Sequence, residues 1–344
     1  MKIVVIGGAG FIGANAAEIF LRKGHEVTVM DNFSRDGSRV NAAWLTETHP
    51  NVTIVHADIR FDHAAMRTHI AKADLVLHEA AQVAVTTSVV DPRADFEINA
   101  LGTFNVLEAL RAVNNGQVLM YASTNKVYGG LEHLTVVERA GRYEFANNGS
   151  VGEDESLDFH SPYGCSKGAA EQYVRDYGRI YGLRTVVFRQ SCIYGPHQFG
   201  VEDQGWVAWF SICASLGKPV TVYGDGKQIR DILYVTDLVE AYELAYANIQ
   251  RTAGRIYNLG GGPDNTLSLL ELIEMLDRRY GRKLQVSLSD WRPGDQRAFV
   301  AAIAKAQTDF GWRPQTSAER GVDRLCVWVD KNPSLFTSRS LPTV

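Results

Sequence analysis

The chain has 344 residues, 45% hydrophobic, 22% charged and 10% aromatic, with 31 Gly and 10 Pro. That composition excludes disorder, collagen and coiled coil, and supplies a large core for two domains or one domain with a lobe. A formal charge of −4 argues against nucleic acid or an anionic membrane as a bulk electrostatic partner, though not against a local basic pocket.

The run Lys-Ile-Val-Val-Ile at 2–6 reads as a buried parallel strand. Glycines stop it after four apolar residues, so no signal peptide is expected here. A helical pattern continues from the glycines to about Lys23. Strands are expected at 26–30, 52–55, 74–77 and 117–121. A helix is expected at 94–112, with Phe96, Leu101, Phe104, Leu107 and Leu110 on one side. A helix at 162–181 and a strand at 184–188 follow. Strands alternating with helices predict an α/β fold, a Rossmann-type doubly wound parallel sheet over 1–190. Beyond about 192 the rhythm loosens. Short strands at 220–223 and 256–258, a Gly224-Asp225-Gly226 turn and helices near 238–248 and 268–279 predict a smaller α/β substrate lobe at 191–330. Part of 235–260 is expected to return to the first unit, and 331–344 forms a tail, frayed or partner-bound.

No apolar run approaches the ~18 residues of a spanning helix. The four Cys (165, 192, 213, 326) make no C-x-x-C pair, and the nine His show no H-E-x-x-H spacing. Neither a disulfide framework nor a metal is expected, and the expected setting is the reducing cytoplasm.

Gly7-Gly8-Ala9-Gly10-Phe11-Ile12-Gly13 sits between the first strand and the first helix. Gly7 permits the tight turn, Gly10 lets backbone approach a pyrophosphate, and Gly13 lets the helix pack on the strand. The helix N-terminus adds N–H donors and partial positive charge. Asp31 ends the second strand with Asn32 beside it; an acid there binds both adenosine ribose hydroxyls and repels a 2′-phosphate, which favours NAD over NADP. Arg35 either counters that preference weakly or is a surface charge. Asp58-Ile59 follows the third strand at the expected adenine edge, where Asp58 serves as a ligand, a helix N-cap or both. Ala80-Ala81-Gln82 follows the fourth, where small residues leave room for the nicotinamide half.

Tyr163-Gly164-Cys165-Ser166-Lys167 opens a long helix, and positions i and i+4 place phenol and ammonium on one face. A nearby Lys⁺ favours phenolate and brings tyrosine towards the range of a general base. Ser123 and Thr124 end a strand at the sheet edge where open α/β folds bind ligands, and either hydroxyl can bond the reacting oxygen.

The segments G-G-A-G-F-I-G, S-T-N-K-V-Y-G, Y-G-C-S-K and Y-G-D-G-K-Q-I-R-D together resemble the extended short-chain dehydrogenase/reductases acting on nucleotide sugars. The likeness runs to about Trp312-Arg313-Pro314. It implies bound NAD, a nucleotide-diphosphate sugar substrate, Tyr163 as base, and Lys167 on the cofactor ribose. It also implies that Asn99 supports the active-site helix and belongs with the cofactor residues, and that Val222, Arg230, Arg292 and Asp295 bind substrate, the arginines on the diphosphate. The family's 4,6-dehydratases carry Asp-Glu after the hydroxyl residue; Asn125-Lys126 stands there, which disfavours elimination and leaves epimerisation. Ala81–Ser88, Ser123–Gly129 and Phe199–Phe210 resemble the branch acting at C2 of CDP-paratose, with a UDP-galactose or UDP-uronate type 4-epimerase as the alternative and a silent NAD-binding protein as the third. Relatives pair the helices at 94–112 and 161–181 across a homodimer, which is expected here. Trp206, Trp209 and Phe210 read as packing, and His197 and Gln198 as candidates for the cleft wall. Glu79 has no role beyond solvent or a local hydrogen bond. The polar stretch 132–158 is either a lid or a mobile surface loop.

Overall fold

In a computed structural model, which describes residues 1–337 apart from 148 and 293, the apolar runs become strands of one central sheet. In chain order come β1 (Lys2–Ile6), α1 (Phe11–Arg22), β2 (Glu26–Asp31), α2 (Asp36–Thr48), β3 (Thr53–His56), α3 (His63–Ile70), β4 (Leu75–His78), α4 (Val85–Val90), α5 (Pro92–Phe96), α6 (Gly102–Val113) and β5 (Val118–Thr124). Next are β6 (Val136–Arg139), β7 (Arg142–Phe145), α7 (Ser161–Tyr181), β8 (Arg184–Gln190), β9 (Cys192–Tyr194), α8 (Trp206–Leu216), β10 (Val220–Tyr223), β11 (Ile229–Tyr234), α9 (Val235–Ala247), α10 (Ile249–Thr252) and β12 (Arg255–Leu259). The last are β13 (Thr266–Ser268), α11 (Leu269–Tyr280), β14 (Val286–Ser289), β15 (Ala298–Phe299), α12 (Ala304–Phe310), α13 (Ala318–Lys331) and α14 (Ser334–Thr337).

Seven parallel strands run in the order β3-β2-β1-β4-β5-β8-β12. Ile3 and Val5 face one core with Phe20 and Leu238; Val4 and Ile6 face another with Met66 and Leu107. Burial on both faces is why these strands read as unbroken apolar runs. The order reverses between β1 and β4, and the crevice above that point is where such sheets take ligands.

The expected helix at 94–112 is three pieces: α5, a π turn at Glu97–Leu101, and α6. The wider π turn shifts the helical phase, so the single apolar stripe is broken. Leu107 and Leu110 are buried, whereas Phe96 is 56% and Leu101 40% exposed.

The polar stretch 132–158 is built around a β-hairpin, β6 with β7, turned by Ala140 and Gly141 at positive φ. Tyr143 N–H donates to Lys227 O (2.9 Å), and Arg142 donates to Glu271 (2.9 Å) and Thr266 (2.6 Å). Phe145 and Val151 pack with Ile229 and Phe299. The hairpin is a strap fixed to the lobe, not a loose surface loop; Asn148 lies outside the described residues. At the other end, α14 docks: Phe336 is 5% exposed and meets Phe199 and Trp328. The expectation for 338–344 falls outside the described residues. No helix among the described residues is long and apolar enough to cross a membrane.

Candidate active site

Glycine is obligatory at two positions of the β1–α1 turn. A Cβ on Gly7, at φ 78°, would lie 2.4 Å from Ala80 N, and one on Gly13 would lie 2.4 Å from Gly7 O. Gly10 caps α1 with no side chain, so the helix presents bare N–H groups to the crevice. Asp31 accepts from Ala9 N–H (3.0 Å) and Phe33 N–H (2.8 Å), which fixes its carboxylate beside the turn. Burial raises the Asp31 pKa, and those backbone bonds oppose the rise. Backbone donors for a diphosphate, with an acid at the end of β2 for a ribose, fit a dinucleotide such as NAD.

Other residues assigned to the cofactor sort differently. Asp58 takes Arg60 (2.8 and 3.0 Å) and Asn32 (2.8 Å), the arginine bonds holding it down at about 2. The N-cap of α3 is Asp62, so the capping role expected for Asp58 is not its role. Ile59 is 7% exposed and packs in the core against Gly102. Its side chain therefore belongs to the core and not to an adenine edge. Asn99, in the π turn, accepts from Gln82 N–H and donates to Gln82 O, Asp95 and Ser166. With its amide so bonded, Asn99 ties the β4 loop to α7. The Gln82 side chain is likewise committed, to Ala84 and Asp95. Arg35 is exposed but is not a remote surface charge. It reaches Gln204 (3.4 Å), and its guanidinium is coupled to Tyr163 and Asp31.

Tyr163 stands in the first turn of α7, 8% exposed, its N–H bound to Ser88 Oγ (3.2 Å). Burial pushes its phenol up to about 12, and a hydrogen bond with Thr124 opposes the rise. The Lys167 ammonium donates to Ala122 O (2.5 Å) and lies over the Tyr121 ring. Lys167 is therefore not what governs the phenol here, which corrects the expected lysine-lowered tyrosine: desolvation wins. The two candidate hydroxyls separate as well. Thr124 meets Tyr163, whereas Ser123 donates to Glu171 (2.7 Å) on α7.

A cavity of about 370 Å³ opens from Phe11, Ile12, Thr124 and Tyr163 at one end to Arg230, Arg292 and Asp295 at the other. Arg230 is paired with Asp295 (2.6 Å) and Arg292 with Asp203 (2.8 Å), while Arg292 also stacks on Tyr223. Pro293, inside the late motif, lies outside the described residues. Val222 is the substrate residue that the structure removes. Alternation along β10 turns Thr221 and Tyr223 to the cavity and buries Val222 in the lobe core. Trp206 and Phe210 line the cavity, and Trp209 packs. Gln198 also lines it, but His197 stacks on Trp44 instead.

Three features escaped the sequence reading. Glu171 and Arg189 form a buried ion pair (2.6 Å) beneath Ser123. Lys126 lines the cavity without a side-chain hydrogen bond to a described residue, and burial lowers its amine to about 8. Glu132, Asp158 and His160, distant in local pattern, bring ligand atoms within 4.8 Å of one another. The first could have been suspected only from two charges inside apolar runs.

Residues 3–260 match the NAD dependent epimerase/dehydratase family. The chain belongs to that family. It is 45% identical to the CDP-paratose 2-epimerase of Salmonella typhi over 337 residues, 95% of this chain and 99% of the relative. It is 32% identical to dTDP-glucose 4,6-dehydratase 1 of Escherichia coli K12, covering 96% of this chain and 93% of that one. Among solved structures it resembles the UDP-glucose 4-epimerase of Thermus thermophilus in complex with NAD, with a TM-score of 0.82 and 33% identity over 96% and 99% of the two chains. The α/β fold, the NAD dependence and the class of enzyme come with membership of the epimerase/dehydratase family.

Proposed function

We propose that the protein inverts C2 of a nucleotide-diphosphate sugar, converting CDP-paratose to CDP-tyvelose. The observation that carries the reading is the 45% identity with a CDP-paratose 2-epimerase along nearly the whole of both chains. The cavity agrees with it. Asn125 and Lys126 line the wall beside Thr124 and Tyr163, so the two positions that follow Thr124 offer no carboxylate for an elimination.

Bound NAD supplies a hydride acceptor and donor. Tyr163 would first release its own phenol proton to solvent; as phenolate, its Oη would take the proton of the C2 hydroxyl as that carbon is oxidised and return it when the ketone is reduced on its other face, so no net redox change results. Thr124 orients the same oxygen. Lys167, cationic beside Ala122, holds the ribose and adds positive charge at the sheet edge. Arg230 and Arg292 exchange their aspartates for the diphosphate. The apolar wall of Trp206 and Phe210 excludes water from the sugar.

The same reading takes the protein to be a cytoplasmic homodimer; four cysteines without disulfides and exposed apolar side chains on α5, the π turn and α7 support it. Incubation with CDP-paratose and with UDP-, GDP- and dTDP-sugars, read by NMR of the sugar ring, tests the substrate. CDP-tyvelose without accumulation of reduced cofactor is expected. A product altered at C4, or a 4-keto-6-deoxy sugar, overturns the reading.

A further inference from the structure

Glu79 is a carboxylate with no part in the proton transfer, yet the structure holds it firmly. It follows β4 at the point where the sheet order reverses. Its N–H donates to Ile6 O (2.8 Å), and a Cβ on Gly7 would lie 2.9 Å from its carbonyl carbon. Tyr242 of α9, 1% exposed, donates its hydroxyl to Glu79 Oε1 (2.8 Å). Gln190, at the end of β8 and on the cavity wall, donates to that same hydroxyl (2.7 Å). A row of three hydrogen-bonded side chains therefore spans the ends of β4 and β8, the strands flanking β5. Lys167, reaching over from α7, is coupled to Glu79 electrostatically. The other charges around that lysine are Asp95 and Glu171. The carboxylate thus sits between the glycine turn and the lysine assigned to the cofactor ribose, at the nicotinamide end of the crevice.

A nicotinamide ring is cationic when oxidised and neutral when reduced, so a fixed negative charge nearby stabilises the oxidised form selectively. We infer that Glu79, clamped by Tyr242 and Gln190, biases the resident cofactor towards NAD⁺. The inference rests on the NAD-dependent reading of the site. Its use in an epimerase is direct: the harder the cofactor is to reduce, the shorter the life of the keto sugar before hydride returns. Burial pushes Glu79 up to about 7, so the bias is present above that pH and fades below it.

Mediated reductive titration of the purified holoenzyme, followed by the near-ultraviolet absorption of reduced nicotinamide, tests this. At pH 8, Glu79→Gln is expected to raise the ratio of reduced to oxidised cofactor about tenfold, a shift of ~30 mV for a two-electron couple. At pH 6 the two proteins should coincide. Tyr242→Phe removes a bond that holds the Glu79 pKa down, so at pH 8 it should fall between wild type and Glu79→Gln, with its inflection moved above pH 7. In wild type alone, the potential should show an extra inflection near pH 7. Equal potentials of wild type and Glu79→Gln at pH 8, no inflection in wild type, or an inflection in Tyr242→Phe below that of wild type would overturn the inference. Failure to epimerise CDP-paratose would overturn the substrate reading and leave this measurement standing.

Discussion

Tyr163 carries a cost that its function must overcome: burial pushes the phenol up to about 12, while Thr124 pulls the other way. Tyr163→Phe keeps the ring and its packing but removes the proton acceptor. We expect kcat to fall about 10³-fold with bound NAD unchanged, measured by product NMR and by cofactor content after denaturation. The two buried lysines set the alkaline side. Burial brings Lys167 and Lys126 down to about 8, so each is cationic below that pH and neutral above it. The lysines' contribution to activity should therefore decline as pH rises through about 8, opposing the gain that deprotonation of Tyr163 brings. Lys126→Met should change only the KM part of that decline, since Lys126 lines the sugar cavity. At this scale Tyr163 and Lys167 were legible because four residues along a helix is a fixed geometry. Glu171 and Arg189 were not, because nothing local says that a helix residue and a strand residue will meet. Val222 was misread by motif likeness where the two-residue period of a strand already opposed it.

The β6–β7 hairpin shows a local conflict between sequence and geometry. Its two-residue turn needs positive φ at both positions, and Ala140 (φ 50°) supplies no relief for its Cβ. Replacing Ala140 by Asn, to give the favoured Asn-Gly pair, should stabilise the protein by about 1 kcal/mol, read as a higher denaturant midpoint. The alternation of strands and helices through β5 could be read from apolar runs, since a doubly covered sheet demands them. The helix at 94–112 could be read too, but its π turn could not: one extra residue per turn leaves no composition mark, and Asn99 and Asp95 gain their positions from it. The strap was illegible for another reason. Its apolar residues are few and widely spaced, and they find their partners only on β11 and β15.

The chain leaves the seven-stranded sheet and comes back to it. After β8 the backbone builds β9, α8, β10 and β11, then returns through α9 to place β12 beside β8. The lobe is consequently tied to the sheet at both ends, and the cavity wall at 190–193 is the continuation of a core strand. On the opposite side, Phe96, Leu101, Tyr173 and Ile180 remain 40–66% exposed on α5, the π turn and α7. Exposed apolar groups gathered on neighbouring helices favour a paired assembly. Light scattering at micromolar protein should give twice the chain mass, and Ile180→Glu should shift it to the monomer. A wild-type monomer at every concentration refutes the pairing.

Both arginines at the far end of the cavity are paired with aspartates. Asp295 and Asp203 already neutralise them, so on the proposed function an arriving diphosphate would perform an ion exchange inside the protein instead of stripping a mobile ion cloud. Substrate capture should accordingly depend only weakly on added salt. A sugar without its full double charge, unable to evict two carboxylates, should be turned away however well its ring fits.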